Sequence, residues 1–336
     1  MGKMAIDLRT GQTRKTVAED YFTKIMGAPY CAKPGTPHPL WDTFLRRVTA
    51  DDTDLIEFLQ RFLGYCLTGF VHEQVLVFLF GTGANGKSVF VNTVSKIFGT
   101  YATVAPMEMF LTSHVERHPA EIAKLRGARL VVANETQKGR RWDEAKIKNL
   151  TGGDRLAARY MRGEWFDFRP THKLLIVGNH KPSLSSVDEA IRRRFLLVPF
   201  IVQIPLAERD PKLTDKLEPE WPAITRWIVE GTLKWRETGL MVPKIVRDAT
   251  QEYLADQDAI EQWLAECVQT YPDAFVKTAE LFASWRTWAG NRNLAFGTVT
   301  AFAESLVDKG YKKKNMTSAR GFKGIMLKPE RPDPAV

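Results

Sequence analysis

Within the 336 residues, the stretch 75–90 leaves the least freedom for the fold. Residues 75–80 form an unbroken apolar run of strand length. It leads directly into Gly81-Thr82-Gly83-Ala84-Asn85-Gly86-Lys87-Ser88, the pattern G-x-x-x-x-G-K-[ST], and the periodicity that follows predicts a helix over 88–98. Strand, glycine-rich turn and helix in that order place backbone N–H groups and a helix N-terminus around an anion. In such a loop Lys87 reaches the β and γ phosphates of ATP, and the Ser88 hydroxyl joins the shell of a Mg2+ ion. Gly81 to Ser88 are therefore the candidate nucleotide cradle.

The composition fits a globular chain of two or three domains, with 44% hydrophobic and 26% charged residues. A formal charge of +9 favours an anionic macromolecular partner. Cys31, Cys66 and Cys267 are too scattered for a thiolate metal site, and their odd number suits a reducing compartment, so a cytoplasmic setting is expected. Apolar runs are of strand length, which predicts no membrane partner. His114 and His118 stand at helical spacing without a third ligand in reach, which reads as a solvated face.

Three further apolar runs, 129–133, 173–178 and 195–200, read as parallel strands of an α/β sheet. Chemistry in such sheets gathers at the C-terminal strand ends. The first two runs end in Asn134-Glu135 and Asn179. Between them, alternation on either side of Arg162-Gly163 predicts an inserted hairpin carrying Arg155, Arg159, Arg162 and Arg169. Its Trp165 suits either packing against the hairpin or stacking on a base.

Ahead of the loop, a turn at 7–11 follows a strand end whose partner is expected upstream, and a helix is expected over 17–26. A helical module follows, in which Gly64 or Gly69 marks the helix exits. After residue 200, one long helix through Trp221, Trp227 and Leu233 is expected, with Gly231 as its weak point. A final unit shows helices at 260–268, 278–288 and 299–309, then the basic run Tyr311-Lys312-Lys313-Lys314 and a short strand at 324–327. That outline is a winged helix. The domain boundaries read 1–70 for the helical accessory region, 71–205 for the nucleotide core with its hairpin, 206–250 for a connector and 251–336 for the winged helix.

This ordered set resembles the superfamily 3 helicases, in particular the helicase half of phage and plasmid primase-helicases. The resemblance rests on Asp7-Leu-Arg-Thr-Gly11, Phe62-Leu-Gly-Tyr-Cys-Leu-Thr-Gly69, the phosphate loop, Gly127-Ala-Arg-Leu-Val-Val-Ala-Asn-Glu135, Lys148-Asn-Leu-Thr-Gly-Gly-Asp154, Leu175-Ile-Val-Gly-Asn-His-Lys-Pro182 and Arg193-Arg-Phe-Leu-Leu-Val-Pro-Phe200. In the final unit it rests on Asp258, Trp263, Leu264, Trp288, Phe302, Leu306 and Gly310. It implies a P-loop NTPase core of AAA+-like, superfamily 3 type with an N-terminal helical module and a C-terminal winged helix. Glu135 would polarise the attacking water and support Mg2+; the family often carries paired acids here, and Asn134 replaces one of them. Asn179 would be the polar sensor of the γ-phosphate.

Arg193 or Arg194 would be the arginine finger acting across a subunit boundary, which implies a homo-oligomeric ring, expected to be a hexamer. Lys148, Arg155, Arg159 and Arg162 would contact the backbone of single-stranded or forked DNA, and Lys312, Lys313, Lys314 and Arg320 a duplex. The expected activity is ATP-dependent replicative DNA unwinding in a phage or mobile element within a bacterial host, with a primase domain upstream in a longer parent protein. A non-processive ATPase for helicase loading or DNA packaging, or a nucleotide-binding DNA scaffold, remains the alternative.

Overall fold

The computed structural model describes residues 4–329 apart from 32, 34, 114–118, 135–138, 293, 295 and 316–319. The chain divides into two compact units, residues 1–185 with 189–251 and residues 186–188 with 252–336. The first opens on an antiparallel hairpin of β1 (Met4–Ile6) and β2 (Thr13–Lys15). Its turn is closed by the Gly11 N–H donating to the Asp7 carbonyl at 2.7 Å. The strand partner expected upstream is thus β2, on the downstream side. The helix expected over 17–26 does not form: one 3-10 turn, Ala18–Asp20, ends at Tyr21 in the left-handed region. Beyond it the backbone is committed elsewhere, with the Ile25 N–H donating to Thr100 Oγ1 at 2.7 Å and the Gly27 N–H to the Ile97 carbonyl at 2.9 Å.

In chain order there follow α1 (Pro39–Thr49), α2 (Thr53–Leu67), β3 (Leu76–Phe80), α3 (Lys87–Phe98), β4 (Ala102–Val104), the short α4 (Ala120–Ala123), β5 (Leu130–Asn134) and α5 (Glu144–Gly152). Next come β6 (Leu156–Arg159), β7 (Trp165–Phe168), β8 (Lys173–Gly178), α6 (Glu189–Arg192), β9 (Phe195–Pro199), α7 (Leu213–Lys216), α8 (Trp221–Thr238) and α9 (Lys244–Gln257). Five strands make one parallel sheet in the order β4-β5-β8-β3-β9. Every residue of β8 is buried, as a central strand covered on both faces requires. The register leaves Gly81, Asn134, Asn179 and Phe200 at one edge, the C-terminal ends of β3, β5, β8 and β9.

The helical segments before and after the sheet share its core. Trp41 of α1 stacks on Phe90 of α3 at 5.8 Å and meets Trp227 of α8 edge-on. The N-terminus of α1 is closed by a distant carboxylate, Glu220, which accepts the Leu40 and Trp41 N–H groups at 2.9 Å each. Gly64 does not end its helix but lies inside α2, at the crossing with α8. A Cβ on Gly64 would sit 2.1 Å from the Thr232 nitrogen, and one on Gly231 would sit 2.1 Å from the Gln60 carbonyl oxygen. Gly231 is therefore no break in α8: its missing side chain lets the two helix backbones touch.

The second unit contains α10 (Ala259–Cys267), β10 (Val268–Lys277), α11 (Thr278–Gly290), α12 (Val299–Asp308), β11 (Lys312–Asn315) and β12 (Arg320–Leu327). Its three strands pair antiparallel in the order β10-β12-β11. Trp263, Leu281, Trp285, Trp288, Phe302 and Phe322 fill its core. The sequence reading has no strand at β10, whose run contains Pro272. The chain tolerates the proline by placing β10 at the sheet edge and shifting register between Thr270 and Phe275.

Candidate functional site

The phosphate loop leaves β3 through Gly81, where a Cβ would collide with the Phe200 carbonyl oxygen at 2.0 Å. That carbonyl accepts from Asn85 Nδ2 at 2.7 Å, so Asn85 ties the loop to the end of β9. Gly83, Ala84 and Gly86 have φ of 105°, 50° and 83°. These left-handed residues turn the loop into a concave backbone nest at the N-terminus of α3. Gly86 is pressed against α1: a Cβ there would lie 2.4 Å from Val48 Cγ1 and 3.0 Å from Phe44 Cε2. Thr82 and Ser88 are exposed.

Lys87 is buried, and its ammonium donates to the Gly81 carbonyl at 2.7 Å, Asn85 Oδ1 at 3.0 Å and Asn179 Oδ1 at 3.1 Å. All three acceptors are neutral, so burial prevails and the amine is pushed down to about 8. A polyanion in the nest would supply the missing counter-charge. The structure therefore brings Lys87 and Asn179 together at the strand ends, as β8 lies directly beside β3. Glu135 lies outside the described residues, as do His114 and His118. Asn134, the last residue of β5, is exposed at the same edge.

ATP suits this cradle through the nest, the buried amine and the helix N-terminus. For Mg2+ the described residues offer the Ser88 hydroxyl, and among them no group of three or more His, Cys, Asp or Glu side chains is disposed to hold a metal.

The paired arginines are placed differently. Arg193 is exposed, whereas Arg194 is 5% exposed and turned inward. Its Nε donates to Thr151 Oγ1 at 3.0 Å and its Nη1 to the Ala190 carbonyl at 2.8 Å. Thr151 belongs to α5, the helix that also carries the half-buried Lys148. The expected hairpin is present as β6 and β7, with Arg155 and Arg162 exposed and the half-buried Arg159 guanidinium 5.3 Å from the Trp165 ring centre. In the second unit Lys312, Lys313 and Lys314 are exposed along β11, and Arg320 is exposed on β12. Sequence reasoning passed over the anchoring roles of Asn85 and Thr151. It also passed over α5, whose signals were the Asp143 cap, accepting the Lys146 N–H at 3.1 Å, and Gly153 in the left-handed region beyond its end.

Residues 79–194 match a family of unknown function, DUF5906. The chain is 25% identical over 269 residues to "Putative helicase L207/L206" of Acanthamoeba polyphaga mimivirus, the match covering 73% of this chain and 28% of that protein. It is 26% identical over 254 residues to "Putative helicase 022R" of Frog virus 3 (isolate Goorha), covering 68% of this chain and 25% of that protein. The matched region is thus about a quarter of the length of these curated relatives. Among solved structures, the apo structure of the NrS-1 C terminal region (305-718) superposes with a TM-score of 0.53 at 11% identity, covering 96% of this chain and 82% of that one. The chain is a distant relative of these viral proteins and shares the fold of the NrS-1 C-terminal region.

Proposed function

We propose that this chain is the ATP-driven motor of a superfamily 3 replicative DNA helicase from a virus or mobile element. The observation that carries the reading is the convergence of Lys87 and Asn179, 3.1 Å apart, at the edge of a parallel sheet whose next strand, β5, ends one residue before Glu135. Lys87 holds the β and γ phosphates of ATP. Asn179 orients the γ-phosphate and the water beside it, and Glu135 takes the proton of that water. Ser88 with Glu135 holds Mg2+, which supplies charge neutralisation on the phosphates when bound.

Arg193, free of the inward bonds that occupy Arg194, is the residue suited to reach a neighbouring copy's nucleotide, which calls for a ring, a hexamer in this class. Arg155, Arg159 and Arg162 on the hairpin, with Lys148 nearby in sequence, follow the backbone of one DNA strand. The second unit has the element order of a winged helix and presents Lys312, Lys313, Lys314 and Arg320 to duplex. The likeness to viral proteins named as helicases supports the same reading, and their greater length leaves room for further domains such as a primase.

The deciding experiment measures ATP hydrolysis against protein concentration, with and without single-stranded DNA, together with strand displacement on forked DNA. Expected are turnover per subunit that rises cooperatively with assembly, stimulation by DNA, and loss of turnover in Lys87→Ala. Turnover without strand displacement would favour a loading or packaging ATPase. DNA-indifferent turnover by a monomer would overturn the motor reading.

A further inference from the structure

The hairpin keeps its two faces for different purposes. Its register pairs Leu156 with Phe168 and Ala158 with Phe166 on one face, and Ala157 with Asp167 and Arg159 with Trp165 on the other. The first face is apolar and closed: Leu156, Ala158 and Phe168 are buried, and Tyr160 stacks on Phe166 at 5.2 Å with the rings 27° apart. Arg126 covers the Phe166 ring at 5.0 Å from its centre. The hairpin is therefore anchored without Trp165.

Trp165 stands on the other face and is 57% exposed. The Arg159 guanidinium, directly across the strand pair, lies over its ring at 5.3 Å. That contact fixes the indole orientation and lends the pair a positive charge while much of the ring remains open. On the same face, the next register pair along the hairpin is Ala157 with Asp167. Arg155, Arg162 and Arg169 are exposed along the same hairpin. This face therefore offers a flat, half-open aromatic ring with a cation against it. A polyanion bearing unstacked aromatic planes matches it, and single-stranded DNA is that ligand; in a duplex the base planes are already stacked on one another.

We propose that Trp165 stacks on an unpaired base of a single DNA strand and that Arg159 is the residue that positions its ring. This rests on the DNA-motor reading and makes the hairpin a discriminator of single from double strand, indifferent to base identity.

The test uses the full chain with end-labelled oligo-dT and an abasic oligonucleotide of equal length, binding being read by fluorescence anisotropy over a range of salt. Trp165→Ala should weaken oligo-dT binding about tenfold, within the range seen when stacking aromatics are truncated. It should leave abasic binding and the salt slope unchanged, and Trp165→Phe should restore most of the loss. Arg162→Ala should weaken both ligands alike and flatten the salt slope. Thermal unfolding of Trp165→Ala should match the parent. If Trp165→Ala loses equally on both ligands, or binds as the parent while Arg162→Ala is weakened, the stacking proposal alone falls. If neither change affects binding, the DNA reading of the hairpin falls with it.

Discussion

Arg193 and Arg194 are adjacent and chemically identical, yet the structure predicts opposite consequences for their loss. Arg194 is buried and donates to Thr151 Oγ1 and to the Ala190 carbonyl. The Thr151 hydroxyl in turn donates to the Ile147 carbonyl at 2.6 Å, so the arginine closes a chain of bonds between α5 and the segment preceding β9. A hydrogen bond to a charged group contributes about 1.5–3 kcal/mol. Arg194→Ala therefore removes about 3–6 kcal/mol, a large share of the ~5–15 kcal/mol that holds a domain folded. Urea unfolding followed by circular dichroism is the assay. Thr151→Val should cost about half as much, and the double variant should cost less than the sum, since both members of one bond are gone. Arg193→Ala should lie within about 0.5 kcal/mol of the parent, as exposed substitutions do. Nucleotide binding should survive in Arg193→Ala while turnover fails, with recovery in mixed assemblies. The reasoning is refuted if Arg194→Ala is as stable as the parent, or if the two alanine variants are equally destabilised.

His172 is fully enclosed at the start of β8, where burial, aided by the neighbouring Lys173 ammonium, pushes its imidazole from 6.5 down to about 4. Between those values the unfolded chain binds the proton and the folded one does not, so stability falls as pH drops from 6.5 to about 4, by on the order of 3 kcal/mol at 1.36 kcal/mol per pH unit. His172→Phe should flatten that limb of the stability curve; parallel curves for parent and variant would disprove the assignment. Gly231→Ala reverses the sign expected from helix propensity. Alanine in a helix ordinarily gains about 1 kcal/mol over glycine, but here the new methyl meets the Gln60 backbone, so a net loss of about 1–3 kcal/mol in the unfolding free energy is expected. A stabilised variant would mean that α2 and α8 can separate without cost.

The phosphate loop, the core strands of the nucleotide site and the hairpin were legible because each carries a local signal: a run of apolar residues, a glycine pattern, or alternation about a turn. What escaped depends on partners distant in the chain. Nothing near Gly64 in sequence tells that a second glycine at 231 will meet it, so it reads as a helix end. Residues 17–26 have helical spacing, but the Ile25 backbone bonds to Thr100, just beyond α3, and the Gly27 N–H to the Ile97 carbonyl within it. β4 is three residues long and is defined by its pairing with β5 rather than by its own pattern. Within the candidate site, the family resemblance nominated both arginines, and only burial separates them. Lys87 and Asn179 were nominated from motifs 92 positions apart, and their contact follows from β8 lying next to β3.

The pressure of α1 on Gly86 bears on how this protein can be dissected. The segment shared with DUF5906, residues 79–194, contains the whole phosphate loop and so looks like a convenient minimal fragment. Cutting there would discard Phe44 and Val48, which form the wall behind Gly86, and Trp41, on which Phe90 rests. It would also remove Phe200, whose carbonyl holds Asn85. The loop would keep its letters and lose the surfaces that shape it, so a nucleotide-binding piece has to be cut from the first unit as a whole, which retains both α1 and α8.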